Sequence, residues 1–436
     1  MMPDWLSQAK QAERLYDQHD LAQAESLAEE SLRTNPRGAL ALQVLGCVLS
    51  RRHRYREAIA RLQHALSLQP DLVPALNELG VANLQLGDTD AALRYYNAAL
   101  CVQPGHPFSH FNRSLAWLRQ GRFRDGWVEY EWRWNCNLVT RPAIPRPRWD
   151  GSFLHGRGVF IHSEQGIGDV LQFVRFFPLV KQRCDRIVFA CQKPLHSLLA
   201  RLEDVNEWFP LDTPANITFD VCIPLMSLPA VLGIDDVSQL PCRVPYITVD
   251  PVKVAYWGQR LGPLPGLKIG LCWQGSPTHR GDALRSIPLA LFAPLGRIPS
   301  VHLISLQKGD GEDQIDINRS YVDLTVLNDR DTDGGLVDTA AVLQHMDLII
   351  TCDTVIAHLA GALGRAVWVL LPIASDWRWL ENRPDSPWYP TMRLFRQRTW
   401  GDWAEVFTRV RGALLAEVEQ ASAVGAISSM GGAASW

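Results

Sequence analysis

The chain has 436 residues, with 43 Lys plus Arg against 46 Asp plus Glu and a formal charge of −3. This balance argues against a nucleic-acid binder working through a basic face. A charged fraction of 20% beside 47% hydrophobic residues marks a globular chain, long enough for about three domains. No apolar run approaches the roughly 18 residues of a membrane helix. Met1 to Leu15 lacks the apolar stretch of a secretory signal. The cysteines are scattered, with no Cys-x-x-Cys pair, which fits a reducing compartment and no zinc or dithiol site. The expectation is a cytoplasmic protein without stable membrane insertion, metal or nucleic-acid partner.

In chain order, the first feature is a period. Pro36, Pro70 and Pro104 stand 34 residues apart, the repeat length of the tetratricopeptide (TPR) helix-turn-helix unit. Repeats set at 5–38, 39–72, 73–106 and 107–140 place Ala12, Gly46, Gly80 and Ser114 at the eighth position. Ala24, Ala58, Ala92 and Gly126 fall at the twentieth, and Ala65 and Ala99 at the twenty-seventh. Small residues there let two helices pack closely, and each proline ends a repeat because it cannot continue the helix. Stacked repeats form a groove suited to a peptide or protein segment; the alternative is an array that only supports the next domain. The fourth repeat carries Trp117, Trp127, Tyr130, Trp132 and Trp134, and is expected to dock onto the domain after it.

Residues 141–155 hold three prolines up to Asp150 and read as an extended linker. Beyond it, apolar runs of strand length alternate with helical patterns: Gly158–His162, Arg186–Ala190, Phe219–Ile223, Ile269–Trp273, Val301–Leu306, Asp347–Thr351 and Val367–Leu371. Such alternation implies parallel sheets covered on both faces. A Pro- and Gly-containing stretch from Asp250 to Gly266 divides the region into halves at 156–255 and 256–420. Residues 421–436, rich in Gly, Ala and Ser, read as a flexible tail.

In doubly wound sheets, ligands bind beyond the carboxyl ends of strands. Three loops occupy that position. The first is Glu164-Gln165-Gly166-Ile167-Gly168-Asp169, which reads as a glycine turn with Asp169 as helix cap, or as a loop presenting Asp169 as a general base. The second, Trp273-Gln274-Gly275-Ser276-Pro277, leads to Arg280 and Arg285, which are either solvated or phosphate partners. The third runs from Asp347 through Asp353-Thr354 to His358 and Gly364. It offers helix N–H groups to a phosphate or sugar, with Thr354 and His358 on one helix face. Gln307 and Lys308 follow another strand end. Asp331-Thr-Asp333 has Asp-x-Asp spacing in a polar loop and reads as a solvated turn. Asp310 to Asp316 lacks the EF-hand glycine and glutamate. Neither a phosphate-binding P-loop nor a Gly-x-Ser-x-Gly elbow is present.

Asp353-Thr354…His358-Leu-Ala-Gly-Ala-Leu-Gly together with Gly168-Asp169 resembles glycosyltransferase family 9, the ADP-heptose lipopolysaccharide heptosyltransferases, over roughly residues 155–415. The layout is closer still to bacterial TPR proteins with a family-9-like domain. Those carry Glu-Gln-Gly-x-Gly-Asp, Trp-Arg-Trp and Trp-Tyr-Pro, here Glu164–Asp169, Trp377–Trp379 and Trp388–Pro390. That group includes TPR-type flagellin glycosyltransferases.

The resemblance implies a TPR superhelix followed by an α/β GT-B fold of two facing Rossmann-like domains. It implies metal-independent, inverting transfer from a nucleotide sugar, with no cofactor. It carries the base role to Asp169 and a phosphate-binding role to Arg285, where the family has lysine. Asp353, Thr354 and His358 match its donor segment; Val355 departs from the family's glycine and suggests a donor other than ADP-heptose. Trp273, Gln274, Ser276, Gln307 and Lys308 are further donor candidates. Glu164, Gln165, Gly166, Gly168, Trp377 and Arg378 are acceptor or cleft candidates. The expected partner is a protein or peptide in the TPR groove, of which flagellin is one example. A transferase for lipopolysaccharide or lipid-linked sugar, and a scaffold with a silent GT-B domain, stay open. The 16 tryptophans concentrate at Trp117–Trp149 and Trp377–Trp403. The first group is expected to join the array to the catalytic half, the second to line the cleft beside Arg378.

Overall fold

The computed structural model describes residues 3–211, 218–279 and 281–431. The chain divides into two compact units. One contains Met1–Arg141 and Asp376–Glu381; the other contains Pro142–Ser375 and Asn382–Trp436.

The helical unit is four antiparallel helix pairs: α1 (Asp4–Asp17) with α2 (Leu21–Thr34), α3 (Ala39–Arg51) with α4 (Tyr55–Leu68), α5 (Val73–Gln85) with α6 (Thr89–Val102), and α7 (Pro107–Arg119) with α8 (Phe123–Tyr130). Asp20 and Asp88 cap α2 and α6 by accepting from Gln23 N and Ala91 N, which satisfies N–H groups that no helical carbonyl can reach. Ala12, Ala24, Ala58, Ala65, Ala92 and Ala99 are completely buried. Gly46 and Gly80 sit at closer approaches still. A methyl group at Gly46 would lie 2.5 Å from Leu62 Cγ, and one at Gly80 would lie 2.2 Å from Tyr96 Cε1. Glycine at these positions is a packing requirement. The last pair differs: α8 is short and passes into a 3-10 turn at Glu131–Asn135.

The α/β unit holds, among the described residues, two parallel sheets. In the first, β1 (Leu154–His162), β2 (Cys184–Cys191), β3 (Glu207–Pro210) and β4 (Val221–Pro224) lie in the order β3-β2-β1-β4. In the second, β5 (Leu267–Cys272), β6 (Val301–Ser305), β7 (Leu348–Cys352), β8 (Val367–Leu371) and β9 (Met392–Arg396) lie in the order β6-β5-β7-β8-β9. Every residue of β7 and β8 is buried, as central parallel strands covered on both faces must be. The architecture is a helical-repeat array followed by an α/β unit with two parallel sheets.

Several sequence expectations need correction. The extended segment 141–155 is anchored along its length: Trp149 N donates to Cys222 O at 2.8 Å and Cys222 N to Pro147 O at 2.9 Å, so it runs beside β4, with Trp149 buried. β1 begins at Leu154, inside the expected linker. The helix Pro251–Leu261 crosses the expected boundary at 255. The last helix, Trp403–Gly431, continues through most of the expected flexible tail. Two edge strands, β3 and β9, escaped detection because Glu207-Trp-Phe-Pro210 is short and ends in proline and Met392-Arg-Leu-Phe-Arg396 carries two arginines, as edges do.

Candidate functional site

Both sheets reverse direction next to their first strand. In the first sheet the reversal lies between β1 and β4, in the second between β5 and β7, and crevices at such switch points are the ligand sites of open α/β sheets. The three loops singled out in the sequence all leave these strands.

The first loop leaves β1. Its helix begins at Ile167, two residues before the expected start, so Asp169 is the third helical residue and not the cap. Asp169 N donates to Gly166 O at 3.0 Å, and Asp169 Oδ2 accepts from Gly166 N at 2.8 Å. This reciprocal pair fixes the carboxylate on a half-buried turn. Glu164 reaches across the switch point, where its Oε1 accepts from Met226 N at 3.3 Å, just beyond β4. The Gln165 carbonyl accepts from Gln192 Nε2. Glu164 and Gln165 therefore brace the loop.

The third loop leaves β7. Thr354 is the residue before the helix Val355–Ala362, but its hydroxyl does not cap that helix. It turns inward, 3.1 Å from Thr351 Oγ1 and 3.6 Å from Cys272 Sγ. Asp353 and His358 are both buried. Helices from the two sheets meet here: a methyl group at Gly168 would stand 3.0 Å from His358 Cδ2 and 3.7 Å from Val355 Cα. Gly168 therefore permits the approach of the Asp169 turn to the Asp353–His358 segment.

The second loop is mixed. Arg285 Nε lies 3.2 Å from Asp282 Oδ1, and Asp282 Oδ2 accepts from Ser286 Oγ at 2.9 Å. A methyl group at Gly275 would lie 2.5 Å from Arg285 Nη2, so Arg285 packs against the loop that leaves β5. Trp273 does not face a ligand: it is fully buried in the sheet core, and its Nε1 donates to Gly311 O at 3.2 Å. Gln307 is a clamp. Its Oε1 accepts from Trp273 N and Gln274 N, and its Nε2 donates to Gln274 O and Asp310 O. Lys308 Nζ donates to the carbonyls of Arg330 and Asp331. Gln274 accepts from Gln314 Nε2 at 2.8 Å, and the exposed Ser276 pairs with Thr278 at 2.8 Å. Arg280 lies outside the described residues.

Trp377 and Arg378 depart furthest from expectation. They lie in the helical unit, not at the strand ends. The Trp377 ring meets Trp127 at 5.3 Å and Tyr130 at 6.4 Å, edge to face. Arg378 covers the Trp377 ring at 4.3 Å and pairs with Asp376 at 2.8 Å. The rest of that tryptophan group does not form a cleft wall either: Trp379 and Trp388 are fully buried, Trp403 packs against the second sheet's core, and Trp400 is exposed. Thr332 and Asp333 lie in an exposed turn, as expected, but Asp331 itself is buried and accepts from Asp338 N at 2.8 Å and Thr339 N at 3.1 Å, in the first turn of the helix Val337–Leu343.

Sequence reading missed Arg175 and Tyr389. Arg175 is a charge inside the apolar run Val174–Phe177, and Tyr389 lies in the quoted Trp388–Pro390 segment; those were the available signals. Among the described residues no group of three or more His, Cys, Asp or Glu is arranged to hold a metal, and no helix is long and apolar enough to cross a membrane.

Known proteins share parts of this architecture. Residues 44–110 match the tetratricopeptide repeat family model. The helix pairs within residues 44–110 are therefore tetratricopeptide repeats. Protein FlbA of Caulobacter vibrioides (strain ATCC 19089 / CIP 103742 / CB 15) is 29% identical over 419 residues, spanning 90% of this chain and 70% of FlbA. Among solved structures, ADP-heptose lps heptosyltransferase II of E. coli aligns with 60% of this chain and 99% of its own, at 13% identity and a TM-score of 0.43. YrrB, a TPR protein with an unusual peptide-binding site, aligns with 31% of this chain and 69% of its own, at 18% identity and a TM-score of 0.27.

Proposed function

We propose that the α/β unit is a glycosyltransferase that moves a sugar from a nucleotide-sugar donor to a protein acceptor recruited by the TPR array, by a metal-independent inverting route. The observation that carries this reading is the approach of Gly168 to His358 and Val355, which joins the Asp169 turn to the Asp353–His358 segment at the carboxyl ends of two sheets. The sequence resemblance supplies the reaction class. Flagellin as the acceptor rests on that resemblance alone.

In this mechanism the acceptor oxygen attacks the anomeric carbon as the bond from that carbon to the phosphate oxygen breaks. Asp169, held by its bond to Gly166 N–H, takes the acceptor proton. Arg285 and the free N–H groups opening the Val355–Ala362 helix meet the charge growing on the leaving phosphate. Asp353 and His358 hold the donor.

The test begins with thermal shift against CMP-, UDP-, GDP-, ADP- and dTDP-sugars, since a ligand that binds only the folded chain raises its melting temperature. With the donor found, Asp169→Asn should lower turnover by about 10²–10⁴-fold, the usual worth of a positioned base. Near-normal turnover would remove Asp169 from the mechanism. No shift with any nucleotide sugar would favour a scaffold carrying a silent domain.

A further inference from the structure

The helix Ile167–Phe173, which carries Asp169, and the helix Val355–Ala362, which carries His358, approach each other at their first turns. A node of polar contacts joins their far ends. Arg175 stands just past the end of the first helix and is 3% exposed. Its Nε donates to Gln172 O at 2.8 Å and its Nη2 to Tyr246 Oη at 2.8 Å. Its Nη1 donates to Pro241 O at 3.3 Å and to the Trp388 carbonyl. The guanidinium also covers the rings of Tyr389 at 4.4 Å and Tyr246 at 4.7 Å. Tyr246 bonds to both helices: Oη donates to Leu171 O at 2.8 Å and N donates to Ala362 O at 3.1 Å.

We infer that Arg175 is a positioning residue which, with Tyr246, fixes the angle between these two helices and so holds the Asp169 turn against the segment bearing Asp353 and His358. Among the described residues the partners of Arg175 are carbonyls, a phenol and ring faces, with no carboxylate. Burying a cation in this way costs more than burying an apolar side chain of the same volume, so stability alone is a poor reason for it. What the apolar side chain lacks is direction. The planar guanidinium reaches three stretches of chain from one point: the helix end beside the first sheet, the connector at residues 241–246, and the segment before β9 in the second sheet.

The node acts through leverage. The helices have seven and eight residues, so each spans about 10–12 Å, and a tilt of about 10° at the node moves a first turn by about 2 Å. A misplacement of about 1 Å can cost roughly 10²-fold in rate. This catalytic consequence rests on the transferase reading; the fixed angle does not.

The experiment uses the full chain with spin labels carried by unnatural residues in place of the exposed Glu203 and Arg297, which lie beside the first and second sheets. Pulsed electron resonance reads their separation. The parent should give one narrow distance distribution. Arg175→Met keeps the bulk without the directed bonds and should at least double its width. Arg175→Lys keeps the charge without the fork and should broaden it similarly. Tyr246→Phe keeps the ring and loses the bonds to Arg175 and Leu171. It should broaden the distribution less, and it decides the matter if Arg175→Met does not fold. A broad parent distribution would overturn the inference. So would variants that melt earlier yet keep the parent's distribution, which is what a merely structural residue gives. With a donor in hand, Arg175→Met should lower kcat about tenfold or more and leave the donor KM within about twofold, because the proposed donor partners all lie on the second sheet's side. Unchanged kcat would refute the positioning role. Failure of every nucleotide sugar to bind the parent would overturn the transferase reading alone, since the distances are measured without one.

Discussion

Glu381→Ala tests why a segment from the C-terminal half belongs to the helical unit. Glu381 Oε2 accepts from Thr89 Oγ1 at 2.8 Å and lies 3.5 Å from Arg119 Nε. Arg119 is 5% exposed; burial pushes its pKa down, and Glu381, then Asp376, oppose that push. Removing one partner of a buried ion pair costs about 3–5 kcal/mol because the other charge stays buried. Glu381 keeps a side-chain exposure of 22%, so water recovers part of that cost, and about 2–3 kcal/mol is expected with the Thr89 bond included. Amides of α6 and α7 should then exchange roughly 30- to 150-fold faster, since each 1.4 kcal/mol is a factor of ten. Hydrogen exchange on the full chain reads this region directly, whereas a single melting curve of a two-unit protein does not. Glu381→Gln keeps an acceptor for Thr89 and should show a smaller rise. Unchanged protection in Glu381→Ala would refute the argument that this segment stabilises the last repeats.

Gly80→Ala places a methyl group 2.2 Å from the buried Tyr96 ring and should destabilise the array by about 1–3 kcal/mol, read as earlier loss of helical circular dichroism in urea. Arg330→Met removes the donors that hold the carbonyls of Ser305, Leu306 and Gln307; a loss of about 2–4 kcal/mol is expected, with faster proteolysis of the loops after β6. Thiol alkylation should be graded. Cys101 and Cys242 are exposed and should react first in the native chain. Cys184 and Cys136, which burial pushes up to about 11, carry only about a thousandth of their thiols as thiolate at pH 8 and should resist until unfolding. Mass mapping that finds Cys184 modified alongside Cys101 would contradict this.

How much was legible depends on which interactions are local. The period of 34, the small residues at fixed repeat positions and the prolines each act within one or two helix pairs, so the array can be read from the chain itself. The central strands are equally legible, because a strand buried on both faces must be apolar throughout, as Leu348–Cys352 and Val367–Leu371 are. The same logic placed the loops bearing Asp169, Arg285 and Asp353 at strand ends. Side-chain direction was not legible. Thr354 turns its hydroxyl to Thr351 and Cys272, and Gln307 spends its amide on the backbone of Trp273, Gln274 and Asp310. A polar residue at a strand end looks the same in sequence whether it meets a ligand or closes a neighbouring loop. Trp377 met the aromatic face of Trp127 and Tyr130, some 250 residues earlier in the chain, and Arg175 found Tyr389 across two sheets. The sequence by itself determined the repeats, the parallel strands and the loops that could carry chemistry, because these depend on periodicity and burial within short stretches. Tertiary structure alone decided which of those side chains meet, because that depends on contacts between residues far apart in the chain, which no local pattern encodes.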